Sequence, residues 1–219
     1  MNDSSIRWQI TRQFIQLLLG VLCVLLTPRV FAASDLHGYI MEVQLTPAIC
    51  ALDKNKAKQR KCLEGYSLTI TGLIPETTKS DCSTRTSAEL SPLQRKVVAR
   101  VMPDEAARIR LWAGIGGCFP MTASQYFRTI INHADQLKVP DDLTRVETKK
   151  VQFTTIRSQF IKMNPKMPYE GIEFNCQMLK GKPVLTEIQI CYKPNGQYRK
   201  CSSNVNSNCP HAFQIQGAY

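Results

Sequence analysis

With 219 residues, the chain is long enough to bury a core of its own, which excludes a miniature scaffold held together by cross-links alone. Its 28 lysines and arginines against 17 aspartates and glutamates give a formal net charge of +11. That excess favours polyanions such as RNA, or anionic membrane surfaces, through long-range attraction that salt weakens.

The amino terminus reads as a secretory signal peptide spanning residues 1–32. Arg7 and Arg12 precede an apolar run from Leu17 to Leu26, and Val30-Phe31-Ala32 offers small residues for cleavage after Ala32. The run is about ten residues long, against the roughly 20 that cross a bilayer. Residues 33–219 are expected to form one domain, exported to the periplasm or the extracellular space, monomeric and without a stable membrane anchor. Residues 1–32 carry three arginines and one aspartate, so the remainder keeps 25 basic and 16 acidic side chains and a net charge of +9.

From Gly38 to Leu45, alternation places Tyr39, Met41, Val43 and Leu45 on one face of a strand. A polar loop follows between Cys50 and Cys62, carrying Lys54, Lys56, Lys58, Arg60 and Lys61. Tyr66, Leu68 and Ile70 alternate as a second strand, which Gly72 and Pro75 should end in a turn. Ser91 and Pro92 form an N-cap and first-turn pair ahead of Leu93, Val97, Val98 and Val101. Pro103 and Asp104 restart the helical pattern toward Trp112. Thr122 and Gln125 make a capping box before Tyr126, Phe127, Ile130, Ile131 and Leu137. A third long helix is predicted from about Thr148 to Met163, burying Val151, Ile156, Phe160 and Ile161. Strands return at Ile172–Cys176 and Leu185–Tyr192. Pro194-Asn195-Gly196 then gives a tight turn with Gln197–Cys201 as a hairpin arm, and Phe213 and Ile215 belong to a last strand. Strands, then helices, then strands describe an α+β domain with a mostly antiparallel sheet flanked by helices.

Cys23 falls in the signal peptide. Eight cysteines remain, an even number that reads as disulfides in an oxidising compartment and allows 105 pairings. Cys191 and Cys201 flank the hairpin turn and can pair across it. Cys50 with Cys62 would close the basic loop, worth about 3 kcal/mol by chain-entropy reasoning. No C-x-x-C pair occurs, and His37, His133 and His211 lie at no ligand-like spacing from the cysteines. A metal site is therefore not expected, nor any other cofactor.

Two short segments carry a resemblance. Leu68-Thr69-Ile70-Thr71-Gly72-Leu73-Ile74-Pro75 and Arg110-Leu111-Trp112-Ala113-Gly114-Ile115-Gly116-Gly117-Cys118 resemble the signature segments of the ribonuclease T-2 family, which includes bacterial ribonuclease I and the plant S-RNases. The family patterns read roughly Leu-Thr-x-His-Gly-Leu-Trp-Pro and His-Glu-Trp-x-Lys-His-Gly-x-Cys. Gln44-Leu45-Thr46-Pro47-Ala48-Ile49-Cys50 is similar to the family's early Gln-Trp-x-Pro-x-x-Cys stretch, and Leu185 to Ile190 is similar to a late strand of bacterial members. The resemblance implies two further bridges, Cys82 with Cys118 and Cys176 with Cys209, and accounts for all eight remaining cysteines.

It also implies a chemistry. Family members cleave RNA without a metal, one histidine taking the proton of the ribose 2′-hydroxyl and a second protonating the departing 5′-oxygen. A Glu and a Lys stabilise the charge that builds on phosphorus. Such work needs two proton-exchanging groups on opposite sides of the phosphate and fixed positive charge aimed at the transition state. Here those positions hold Thr71, Leu111, Gly114 and Ile115. A threonine hydroxyl can hydrogen-bond a phosphate but takes up no proton near neutral pH. Leu111 and Ile115 have no proton to exchange. Each missing acid or base removes about 10²–10⁴ in rate.

The resemblance therefore implies an exported, RNA-binding protein whose endoribonuclease catalysis is lost or strongly impaired. Arg110, which as arginine can neutralise a phosphate but not shuttle a proton, joins Lys54, Lys56, Lys58, Arg60 and Lys61 as a candidate phosphate contact. Lys193, Arg199 and Lys200 of the hairpin are weaker candidates. An active enzyme with a rearranged site is the alternative; it would draw on His37, His133, His211 or Glu76. A third reading is a protein-binding module on a retired enzyme scaffold, with Ile74, Leu111 and Ile115 lining a partner groove or filling the old cleft.

Overall fold

The computed structural model describes residues 36–217, apart from Lys54 and the side chain of Lys56. The described residues belong to one compact unit covering 35–219; the expected signal peptide lies outside them. The elements are β1 (Leu36–Leu45), α1 (Thr46–Leu52), α2 (Arg60–Leu63), β2 (Leu68–Thr77), α3 (Pro92–Val98), α4 (Glu105–Ile115), α5 (Ala123–Gln136), β3 (Lys149–Gln152), α6 (Phe153–Met163), β4 (Ile172–Leu179), β5 (Lys182–Tyr192) and β6 (Ala212–Ile215).

The strands form one six-stranded sheet in the order β2-β1-β5-β6-β3, with β4 also paired to β5. Every pairing is antiparallel except β5 with β6, which meet in parallel at Val184 and Gln214. Period-two alternation sets the two faces of β1. Met41, Val43 and Leu45 are buried, while Glu42 and Gln44 lie on the opposite, partly exposed face. Helices α4, α5 and α6 cover the apolar face with Trp112, Tyr126, Phe127, Ile130, Ile156 and Phe160. Tyr39, Phe119, Trp112 and Tyr126 form a chain of ring contacts beneath α4 and α5. This is the α+β architecture that the order of elements implied, with helices flanking a mostly antiparallel sheet.

Four disulfides close the fold: Cys50–Cys62, Cys82–Cys118, Cys176–Cys209 and Cys191–Cys201. Their Cα separations, from 4.8 to 5.9 Å, suit unstrained bridges.

Local structure departs from the sequence reading in four places. The helix expected from Thr148 starts at Phe153, because Lys149–Gln152 pairs with β6 and Val151 faces Phe213; long-range pairing overrides the local helical pattern. The stretch between Cys50 and Cys62 is not a plain loop but the end of α1, a 3₁₀ turn at Lys56–Lys58 and the start of α2. Strand β2 continues through Pro75 to Thr77 instead of turning at Gly72. A proline lacks the N–H a ladder needs, and β2 can accept one because it is an edge strand. Gln197–Cys201 forms no hairpin strand; a single bridge joins Tyr192 and Tyr198.

Candidate functional site

Strand β2 is held at two points that flank an irregularity. The Ile70 N–H donates to the Val101 carbonyl at 2.8 Å. The buried Tyr126 hydroxyl accepts from the Leu73 N–H at 3.0 Å and donates to the Leu73 carbonyl at 3.1 Å. Between them the register with β1 slips: Gly72 opposes Glu42, Ile70 opposes Val43, and Thr71 is the extra residue of a β-bulge. Bulges bend a strand and re-aim the side chain they carry.

The Thr71 hydroxyl donates to Glu42 Oε2 at 3.2 Å. It also lines a cleft of about 230 Å³ together with Gln44, Thr69, Lys61 and Arg110. Ile49, Met102 and Pro103 supply apolar wall. Lys61 donates from Nζ to the side-chain oxygen of Gln44, and the neighbouring Cys50–Cys62 bridge ties its helix to α1. Thr69 shares a hydroxyl contact of 3.2 Å with the buried Thr46. The cleft thus gathers two cationic side chains, two amides (Gln44 and Gln59) and two hydroxyls, groups that hydrogen-bond phosphodiesters and sugars, with one carboxylate, Asp104, which caps α4 by accepting from the Ala107 N–H.

Glu42 is the one strongly perturbed acid beside the cleft. Burial, and then the nearby Glu187 carboxylate, push it up to about 7, against hydrogen bonds from Thr71 and Gln189 that pull it down. Register explains the grouping: Glu42 opposes Gln189, and Gln44 opposes Glu187, on the polar face of β1 and β5. Sequence reasoning passed over Glu42. Its place between buried Met41 and Val43 was the available signal, but Glu187 becomes its neighbour only through strand pairing.

The family's catalytic positions separate in space. Thr71 and Arg110 share the cleft, whereas Leu111, Gly114 and Ile115 do not line it. Leu111 and Ile115 are half-buried against the main core, Ile74 packs on a smaller cluster around Ile40 and Cys191, and Gly114 is exposed. A Cβ on Gly72 would lie 2.9 Å from Ile74 Cδ1 and 3.2 Å from Leu111 Cδ1, so Gly72 lets both side chains close over the strand. The apolar side chains at these positions pack against the buried clusters. Gly117 has a related duty. Its N–H donates to Cys82 O at 2.8 Å, and a Cβ there would sit 2.4 Å from Ser83 O, so the approach that allows the Cys82–Cys118 bridge needs a glycine.

No histidine reaches the cleft. His133 is buried on α5, stacked on Tyr192 at 4.1 Å between ring centroids, and burial holds its pKa near 4. At neutral pH it is an uncharged core residue. His37 and His211 are exposed, His37 on β1 and His211 just ahead of β6. Glu76, which the sequence suggests is a solvated turn residue, lies instead within β2. It pairs with Arg199 and accepts a hydrogen bond from Ser202. That pair occupies both Glu76 as a candidate base and Arg199 as a candidate phosphate contact. Among the loop cations, Arg60 pairs with Glu64 at 2.6 Å, Lys58 is exposed and Lys61 enters the cleft. Lys54 and the Lys56 side chain lie outside the described residues. Lys200 lies 3.9 Å from Glu170, and Lys193 is exposed.

Among the described residues, no group of three or more His, Cys, Asp or Glu side chains is placed to hold a metal. No helix among them is long and apolar enough to cross a membrane.

No protein-family model matches the sequence, and no curated protein matches it significantly. Solved structures do resemble the fold. Ribonuclease MC1 from bitter gourd seeds superposes with a TM-score of 0.63 at 14% identity, covering 81% of this chain and 98% of its own. The SF11-RNase of Nicotiana alata, associated with gametophytic self-incompatibility, gives 0.61 at 16% identity over 81% of this chain and 96% of its own. An RNase-related protein from Calystegia sepium gives 0.65 at 15% identity, over 85% and 99%. A ribonuclease MC1 variant of this fold has been solved with 5′-UMP. These neighbours are plant ribonucleases and an RNase-related protein, and at such identities the likeness establishes a shared fold alone.

Proposed function

We propose that this chain is an exported ribonuclease T-2 relative that binds RNA through the Thr71 cleft and has lost most or all of its transesterification activity. One observation carries the reading: the cleft keeps groups suited to a phosphodiester, Lys61 and Arg110 with Thr71 and Gln44, yet none of the three histidines enters it. The solved structures that share this fold include ribonucleases, and one of them holds a nucleotide, which supports an RNA-binding role for the scaffold. Leu111 and Ile115 as packing groups fit a site relieved of catalysis. The signal-like residues 1–32 and the four disulfides support export into an oxidising compartment, with residues 33–219 acting as one monomeric domain. Incubating the purified protein with single-stranded RNA and quantifying 2′,3′-cyclic ends tests the reading; turnover near that of an ordinary T-2 ribonuclease would overturn it.

Glu42 favours a second reading, a slow ribonuclease with a rearranged site. A carboxyl group that titrates near 7 has the acidity a general base needs, and its oxygen lies where a side chain at position 71 reaches. In that case Glu42→Gln abolishes the residual cyclisation, while His37→Ala and His211→Ala leave it intact.

A further inference from the structure

Beside the Thr71 cleft lies a second, larger depression that the family signatures do not touch. It has a volume of about 490 Å³ and is lined by Arg60, Tyr66, Arg95, Lys96, Arg100 and Arg108. Glu105 is the single acid in its wall. It lies 3.9 Å from Arg95, and Arg60 is held by Glu64 outside the groove. Among the described residues, Lys96, Arg100 and Arg108 form no ion pair. Arg108 is only 4% exposed, and its guanidinium donates to the Met102 carbonyl. Burial, with Arg60 adding its repulsion, pushes Arg108 down against the pull of Glu105 and Asp104. Crowding like charges around a hollow costs free energy that a bound anion recovers.

The surroundings specify the anion further. Tyr66 offers a half-buried ring whose hydroxyl donates to Ala99 O at 3.2 Å, so the ring is fixed within the groove. A fixed ring amid cations is the combination that holds unstacked bases and their backbone. Pro103 lines both the groove and the Thr71 cleft, so the two depressions adjoin at that residue. Arg95, Glu105 and Arg108 also line a smaller hollow against Leu90 and Phe127.

We propose that this groove is a second phosphate-binding subsite, which carries the continuation of a single-stranded RNA whose first nucleotide occupies the Thr71 cleft. The proposal rests on the RNA-binding reading above and adds a strand path to it. Lys96 and Arg100 contact backbone phosphates from the exposed rim, Arg108 supplies fixed charge from the floor, and Tyr66 stacks on a base.

The test is fluorescence anisotropy of a labelled 12-nucleotide oligouridine against the full disulfide-bonded protein over a range of salt. Lys96 and Arg100 are both exposed, so Lys96→Ala/Arg100→Ala leaves the fold intact. This double variant is expected to weaken binding about tenfold and to flatten the slope of log affinity against log salt by about 1.4, ~0.7 for each single-strand phosphate that is no longer neutralised. Lys162→Ala/Lys166→Ala removes two exposed charges from the last turn of α6 and the segment just after it and serves as the charge-matched control, with wild-type affinity and slope. Equal losses in both double variants would overturn the subsite, leaving only a diffuse effect of net charge. Undiminished binding by the Lys96/Arg100 variant alongside weakened binding by Lys61→Ala would overturn the groove and leave the cleft standing. A blunt duplex of the same length that competes equally would overturn the single-strand path. Absence of binding by the wild-type protein would overturn the RNA reading and the groove together.

Discussion

The Thr71 hydroxyl and the Glu42 carboxylate meet at 3.2 Å across a β-bulge, at the position where the family signature has a histidine. This pairing changes what this end of the sheet can do. A threonine gives the carboxylate a hydrogen bond and leaves it, among the described residues near the cleft, as a group able to exchange protons close to neutrality.

Stability should register that carboxylate. Its folded value of about 7 lies above the ordinary 4.5. The linked stabilisation is therefore fully present below about 4.5 and is lost as pH rises through 7. Glu42→Gln is expected to remove this loss, so the variant gains on the wild type by up to about 3 kcal/mol between pH 5 and pH 8. Urea denaturation at the two pH values checks it.

His133 should act in the opposite sense. Burial lowers it from 6.5 to about 4, so its contribution is complete above 6.5 and is lost as pH falls toward 4. His133→Phe is expected to keep the stacking on Tyr192 and to flatten the acid side of the stability profile. Thermal melts between pH 4 and pH 7 report it, and an unchanged acid limb would contradict the assignment.

Much of the fold was legible because its signals are local. The alternation of Tyr39 to Leu45, the Ser91–Pro92 start and the Thr122–Gln125 capping box all recur in the structure, the last with both of its reciprocal hydrogen bonds. What escaped depends on distant partners. Lys149–Gln152 becomes a strand only because β6 lies beside it, and Glu42 becomes an unusual acid only once folding buries it and brings Glu187 alongside. The groove of Arg95, Lys96, Arg100 and Arg108 was spread along two helices and the segment between them. No motif marks such a surface until folding brings its cations together.

The Cys50–Cys62 bridge should serve both stability and binding. Replacing both cysteines by alanine opens a closure of 12 residues and is expected to cost about 2–4 kcal/mol. It also frees the helix that presents Lys61 to the cleft, so RNA affinity should fall further than the charge count alone implies. Anisotropy titrations well below the unfolding transition separate the two effects.

Gly72→Ala probes the packing of Ile74 and Leu111 over β2. The added methyl meets Ile74 and Leu111, and overpacking of this kind costs about 1–3 kcal/mol. The double change Gly72→Ala/Leu111→Ala should recover part of that loss, whereas strictly additive losses would contradict direct contact between the two sites. Equilibrium unfolding of both variants measures the coupling.

A single-turnover experiment that follows one labelled single-stranded RNA for both retention by the protein and formation of 2′,3′-cyclic ends separates RNA binding from ordinary catalysis. Retention that weakens with salt is expected, with cyclic ends no more abundant than in a protein-free blank. Rapid cyclisation at the rate of an ordinary T-2 ribonuclease, or no retention at low salt, would contradict the proposed function.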